Sequence, residues 1–522
     1  MRQADRIIVN VLSNYGLTLV GGIASLVMVP IVIGELRPSG YGLAAMLLAT
    51  FTVTETLGQS INRALQRYIP QDLASPNPDQ VCITFNSALA CHALLGVLAA
   101  CVIWSLRTWY LDDPDIGPEL HADGTLGFAL VCLALVVGAP MLAYRAALEA
   151  IQRFDLVVAH ISLGTFLRTL AVIVLFKIGY GSVTVFVFSQ VLATMGTCLL
   201  CRKALRKALP RIHVSVRMVQ VSSLRVLGRF AVGGLLITGG NVLGLEGFRV
   251  LIGKRLSMEA VGGLSAVWAF RTMVFLLIRN MTNVLTPAVS TMDARGATEN
   301  IGKLLLTSTK YAAAAAVSIC IVPLVVADQF LQLWLGKEFV SLVPLMYTVM
   351  LAQVPLAMST SSQQVLIGLG RMRATVPIIF IRGAGGLAVA AVYLFTVPDA
   401  NLVGAAICLY TVQVLMSMTL FFYGSSVTQI GGLRAVLEGL VRPVALGLAA
   451  CVITWLVSSQ IGSDKWWNLL TSIAGGEVVF LALILLVGLG AEERSRLLGF
   501  AGRVRGKLRP AGSVASGRDH IA

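Results

Sequence analysis

Eight ionisable side chains stand inside long apolar runs of this 522-residue chain: Glu55, Arg168, Glu246, Arg249, Arg271, Arg279, Arg382 and Glu477. A charge at the centre of a membrane helix costs about 2.5–3.5 kcal/mol on insertion scales, so each should face a wet cavity or a partner. Two runs carry more than isolated charges. Thr52, Glu55, Gln59, Asn62, Arg63 and Gln66 recur at three- and four-residue steps, which makes one polar stripe on a helix. Trp268, Arg271, Phe275, Arg279, Thr282, Asn283 and Thr286 make another. Asn10, Asn14, Thr18 and Ser25 share one side of the first apolar run, and Thr238, Asn241, Glu246 and Arg249 mark a fourth wet face. Glu246 and Arg249 are spaced to pair at i, i+3. Guanidinium groups in a low-dielectric space bind phosphate and carboxylate through two parallel hydrogen bonds. The plainer reading of the same stripes is a set of ion pairs and hydrogen bonds between helices.

The elements that must hold these residues are membrane helices. Charged residues make up 12% of the chain and hydrophobic ones 57%, with a mean hydropathy of +0.84. A soluble domain carries about 25% charged residues, so a fused cytosolic enzyme or a large extracellular domain is excluded. Fourteen apolar spans of about 20 residues or more run from 7–34 to 468–490, joined by short connections. The first is too long for a signal-peptide core and is expected to be retained. The fold expected is all-α: a polytopic membrane protein of about fourteen transmembrane helices.

Charge placement sets the orientation. With both termini on one side, that side carries 28 Lys and Arg, counting Lys310 at the edge of its span, and the other side carries 7. The positive-inside rule then makes both termini cytoplasmic. The most basic loop, Arg202 to Arg229, lies midway, and the longest outer loop holds Asp112, Asp113, Asp115, Glu119 and Asp123. This asymmetry accounts for most of the net charge of +15 without a nucleic-acid partner. It leaves membrane lipids as the partners of the basic loop and tail. The nine cysteines lie in apolar segments and are expected to be free thiols. Phosphate-binding loops, catalytic triads and metal-ligand clusters are missing, and the five histidines are scattered. The chain is therefore read as a transporter rather than an enzyme.

The two halves echo one another. Ile33-Gly34 and Tyr41-Gly42-Leu43 correspond to Ile252-Gly253 and Val261-Gly262-Gly263-Leu264; the turn from Leu148 to Arg153 corresponds to that from Leu366 to Arg371. Six spans separate the matching pieces, so the halves share one orientation and enclose a path at their interface. The expected organisation is a six-helix lobe over 1–215, a second over 216–430, two additional helices over 431–492 and a basic disordered tail over 493–522. The Ser359–Gln364 run is assigned to helix packing, with lining of the path as the alternative. Arg382, near a predicted helix end, is read as able to snorkel.

The stretch Asn14-Tyr-Gly-Leu through Pro30 to Gly34-Glu-Leu-Arg-Pro-Ser-Gly-Tyr-Gly-Leu43 resembles the start of polysaccharide-biosynthesis flippases. These belong to the multidrug/oligosaccharidyl-lipid/polysaccharide exporter superfamily. The Gln152-Arg153-Phe154-Asp155 and Gly370-Arg371 turns are similar to that family's inter-helix loops. The resemblance implies a flippase for an undecaprenyl-pyrophosphate-linked oligosaccharide in a bacterial inner membrane. It implies alternating access driven by H+ or Na+, no other cofactor, and polysaccharide polymerase and glycosyltransferases as partners. The substrate-binding residues expected are Arg63, Arg249, Arg271, Arg279, Asn14, Gln59, Asn62, Asn241 and Trp268. Trp268 is suited to stack on a sugar ring or simply to pack. Glu55 and Glu246 are the expected coupling carboxylates. Peptidoglycan-precursor flippases use arginines on their first, second and eighth helices; the first span here has none, a departure from that branch. The alternatives are a cation-coupled small-molecule exporter of the same superfamily and a membrane polymerase or ligase of lipid-linked glycans.

Overall fold

The computed structural model describes residues 3–112, 116–461, 465–488, 490 and 494. The tail expected over 493–522 lies, apart from Arg494, outside the described residues, as do the side chains of Asn10, Asn14, Thr18, Ser25 and Thr238. All regular elements among the described residues are helices. In chain order they are α1 (3–36), α2 (38–73), α3 (Gln80–Leu111), α4 (Pro118–Ala150), α5 (Phe154–Lys177), α6 (Val183–Ala208), α7 (221–255) and α8 (Met258–Thr282, continued by Leu285–Asp293). There follow α9 (Thr298–Leu324), the short α10 (Ala327–Trp334), α11 (Lys337–Gly368), α12 (Met372–Thr396), α13 (Leu402–Val427), α14 (432–461) and α15 (Trp466–Gly488). Eleven of the described helices are long and apolar enough to cross a membrane. The long segments α1, α2 and α7 stand where the first, second and seventh spans were expected. Large apolar side chains such as Leu98, Leu133, Phe166, Leu192, Val392, Trp455 and Val478 are exposed on α3–α6 and α12–α15. That surface suits hydrocarbon, while the helices satisfy their own backbone. α8 is the most interior of the eleven.

Local chemistry sets the helix breaks. Pro38 disfavours the helical region for the residue before it, and Arg37 takes φ 58°, ψ 169°, separating α1 from α2. The turns after α4 and α11 close identically. Gln152 (φ 59°) and Gly370 (φ 70°) adopt the left-handed conformation. The next residue then donates its N–H back five positions: Arg153 to the Leu148 carbonyl and Arg371 to the Leu366 carbonyl, both at 2.9 Å. These are Schellman caps, and they are the two turns that the sequence matched across its halves. Pro30 has no N–H to offer the Leu26 carbonyl one turn earlier; the Trp334 indole of α10 donates to it instead at 2.8 Å.

Glycines bring the backbones together at two crossings. A Cβ on Gly42 would stand 1.9 Å from the Met258 carbonyl oxygen, and one on Gly262 would stand 2.2 Å from that of Pro38. Only glycine permits this contact between the start of α2 and the start of α8. At the second crossing a Cβ on Gly383 of α12 would lie 1.7 Å from the Gly240 carbonyl oxygen of α7. Wide π turns occupy Leu243–Gly247 and Ile381–Gly385 at the same level. Such turns commonly accompany functional sites.

A four-arginine cavity as the candidate functional site

A cavity of about 570 Å³ opens between α2, α7, α8, α11, α12 and α13. Its cationic lining is Arg63, Arg271, Arg279 and Arg382, and among the described residues no carboxylate lines it. Arg271 and Arg279 are eight residues apart on α8, about 12 Å along the axis. Arg279 lies in the electrostatic reach of Arg63, and Arg382 in that of Arg271. The arginines therefore stand as two like-charged tiers. Like charges facing one low-dielectric space repel, so the arrangement is suited to an anion with more than one charge.

Uncharged donors and acceptors surround these tiers. Arg382 donates to Asn241 Oδ1 at 3.0 Å and, at the limit of a hydrogen bond, to Ser359 Oγ at 3.5 Å. Thr286 donates to Gln364 Oε1 at 2.7 Å, and Gln364 Nε2 donates to Asn283 Oδ1 at 3.1 Å, which ties α8 to α11. Gln59, Thr360, Gln363 and Gln413 add further polar groups. Leu245, Phe275, Leu356 and Ile367 supply the apolar wall. Arg271 is buried, with its guanidinium 5.9 Å from the ring centres of both Trp268 and Phe275. Contacts of this kind hold a cation without neutralising it.

Of the expected substrate-binding residues, the structure brings Arg63, Gln59, Asn241, Arg271 and Arg279 to this cavity. Asn14 has its side chain outside the described residues. Asn62 turns away: its Oδ1 meets the His92 ring at 2.9 Å on α3. Arg249 and Trp268 line a separate pocket of about 180 Å³ beside the Gly42–Gly262 crossing. Arg249 there is paired with Glu246 at 2.5 Å and lies 5.1 Å from the Trp268 ring centre. The α2 stripe is thus two edges rather than one face. At about 100° per residue, Thr56, Gln59 and Arg63 form the edge toward the cavity, and Glu55, Asn62 and Gln66 form the other.

Glu55 borders a small hollow with Phe51, Leu135, Gly138, Ala139, Leu142 and Thr194. Its charged neighbour is Arg145, itself paired with Glu149 at 3.0 Å. Gln66 donates to the second oxygen of Glu149 at 2.7 Å. Glu477 accepts from Ser318 Oγ at 2.6 Å, between α15 and α9. The expectation that Arg382 snorkels is corrected: its guanidinium turns inward to Asn241. The packing assignment of the Ser359–Gln364 run is half replaced. Thr360, Gln363 and Gln364 line the cavity, whereas Ser361 and Ser362 are buried, with Ser362 against Gly424. The nine cysteines are free.

A family of proteins described as polysaccharide biosynthesis protein matches residues 36–344. The chain belongs to this polysaccharide biosynthesis family. No curated protein sequence matches it. Among solved structures it is similar to an inward-facing multidrug resistance MATE family transporter of the MOP superfamily, at 13% identity and a TM-score of 0.67. That match covers 80% of this chain and 98% of the other. It is also similar to the lipid II flippase MurJ in an inward closed conformation, at 11% identity and a TM-score of 0.66, covering 91% and 97%. A third relative is a MOP superfamily transporter from Pyrococcus furiosus described by the reverse polarity of its binding pocket. It has 14% identity and a TM-score of 0.52, covering 81% and 95%. The family member thus has the fold of this superfamily and is a multi-pass membrane protein.

Proposed function

We propose that this chain is a flippase that moves an undecaprenyl-pyrophosphate-linked oligosaccharide across a bacterial cytoplasmic membrane. The observation that carries the reading is the four-arginine lining without a carboxylate. A pyrophosphate headgroup is multiply anionic, and two tiers of guanidinium match it bidentately while the tiers lose their mutual repulsion. The amides and hydroxyls around the tiers suit the hydroxyls of a glycan, and the lipid tail needs no aqueous path.

The termini lie in the cytoplasm in this reading, so the Gly42–Gly262 crossing is the closed outer end and the cavity opens inward. Transport is alternating access between two six-helix lobes, 1–215 and 216–430, with the π turns of α7 and α12 as the yielding points. A gradient of H+ or Na+ drives the cycle. Glu55 is the coupling carboxylate, inside the first lobe and away from the substrate; Glu246, tied to Arg249, sets the geometry of the outer end. The glycosyltransferases that build the glycan and the polymerase that consumes it are the partners. An exporter of cationic small molecules needs acidic groups where this cavity has arginines, so that reading is the weaker one.

The test is export by the Arg271→Ala, Arg279→Ala double variant at matched membrane levels. Charge-assisted hydrogen bonds contribute about 1.5–3 kcal/mol each, so surface glycan should fall about 100-fold or more. Lipid-linked precursor should accumulate. Lys at both positions should restore export in part, keeping the charge and losing the planar fork. Full export by the double Ala variant would falsify the headgroup assignment.

A further inference from the structure

The pocket beside the Gly42–Gly262 crossing has features of its own. It is walled by Tyr41 of α2, Arg168 of α5, Phe186 of α6, Arg249 of α7, and Ser265 and Trp268 of α8. Its volume is about 180 Å³. Arg168 is the odd member. Its Nε and Nη2 are buried with no hydrogen-bond partner among the described residues, and its guanidinium lies 4.9 Å from the Phe186 ring centre. Arg249, the other guanidinium of the pocket, is already bonded to Glu246. Ser265 Oγ and Arg249 Nε are also buried without a partner. The pocket therefore holds one uncompensated positive charge and several idle donors. A desolvated charge left so is strongly unfavourable unless something pairs with it.

Trp268 lines this pocket, and Arg271 of the four-arginine cavity contacts the same indole. Trp268 is buried, with Arg249, a pocket residue, 5.1 Å from its ring centre and Arg271, a cavity residue, 5.9 Å from it. Phe248 packs against the same ring at 5.9 Å. The pocket and the cavity share no lining residue, so their occupants are distinct. The pocket's occupant is small, and a single negative charge balances Arg168.

We propose that this pocket is a second anion site that takes one singly charged group, a carboxylate or an inorganic anion of the same charge. If the carboxylate belongs to an acidic sugar of the transported glycan, the assignment rests on the flippase reading. The site itself rests on Arg168, Ser265 and Arg249 in a pocket separate from the cavity.

The test uses the purified full-length protein in detergent, followed by thermal unfolding at constant ionic strength held with a bulky sulfonate buffer. The probes are sodium glucuronate, sodium bromide and glucose. Either anion should raise the unfolding midpoint in a saturable way, and glucose should leave it unchanged. Stabilisation by glucuronate alone assigns the site to an acidic sugar; stabilisation by bromide as well assigns it to a free anion. Arg168→Gln should weaken the apparent affinity at least tenfold, whereas Lys337→Gln, an exposed cation that lines neither the pocket nor the cavity, should retain it. Ser265→Asp supplies a built-in carboxylate and keeps the test decisive where Arg168→Gln fails to fold. It should raise the midpoint in the absence of anion and abolish the response to added anion. No stabilisation by either anion, an unchanged affinity in Arg168→Gln, or a lowered midpoint in Ser265→Asp would overturn the proposal. The flippase reading would then stand or fall separately, on the cavity arginines.

Discussion

The two edges of α2 face two different electrostatic worlds. Gln59 and Arg63 look into a cavity with four guanidiniums and no acid among the described residues. Glu55, Asn62 and Gln66, on the other edge, face helices of the first half. There Arg145 has Glu149, Gln66 has Glu149 and Asn62 has His92. Gln59, Asn62 and Arg63, within five residues, are thus divided between a space that lacks its counter-charge and a network that is largely satisfied from within. The first arrangement is unfavourable for an empty protein and useful for binding an anion; the second stabilises the helix packing. Charge count alone does not distinguish them. What distinguishes them is whether the opposite charge is already present.

Supplying the missing charge is the strongest way to break this contrast. Gln59→Glu places a carboxylate beside Arg63 in the cavity. The variant should fold at least as well as the parent, because the new acid relieves repulsion, while export falls about 100-fold as the acid competes with the headgroup. Stability and surface glycan at matched levels check both halves. Undiminished export would mean that the open positive charge is unnecessary.

A smaller effect is expected on the other edge. Glu55→Gln removes the carboxylate and keeps the shape. Gradient-driven export should drop about tenfold, while binding of a pyrophosphate-headed lipid to the purified protein stays within a factor of two. Loss of both together would move Glu55 into the substrate path. The smallest effect is that of Asn62→Ala, which leaves the buried His92 ring without its partner. Stability should fall by about 1–3 kcal/mol, and export per folded molecule should be unchanged. A specific loss of export without loss of stability would return Asn62 to the binding site.

The sequence made Arg271 and Arg279 legible because a charge within an apolar run of 25 residues demands a wet neighbour. Gln59 and Arg63 were legible from helical spacing. The division of the α2 stripe was not. Residues at three- and four-residue steps cover an arc of about 120°, wide enough to touch two sets of neighbours, and periodicity is blind to which neighbour lies where. The inward turn of Arg382 is invisible in the sequence because its partner, Asn241, is 141 residues away on α7. Arg249 was expected to join the path, yet its local pairing with Glu246 was the better guide to its position. The matching turns at Leu148–Arg153 and Leu366–Arg371 were visible as sequence because a left-handed cap constrains the residue types that form it. The division into two lobes remains part of the proposed mechanism, as does the role of each cavity residue.

The central claim is that the cavity arginines carry a lipid pyrophosphate across the membrane. The most direct measurement is flipping in sealed proteoliposomes. Purified protein is reconstituted with a fluorescent undecaprenyl-pyrophosphate-linked oligosaccharide in one leaflet, and the labelled glycan reaching the other leaflet is followed under an imposed ion gradient. The account predicts gradient-dependent transfer by the parent chain, transfer reduced about 100-fold by Arg271→Ala with Arg279→Ala, and partial recovery with Lys at both positions. Equal transfer by the parent and the double Ala variant would contradict it.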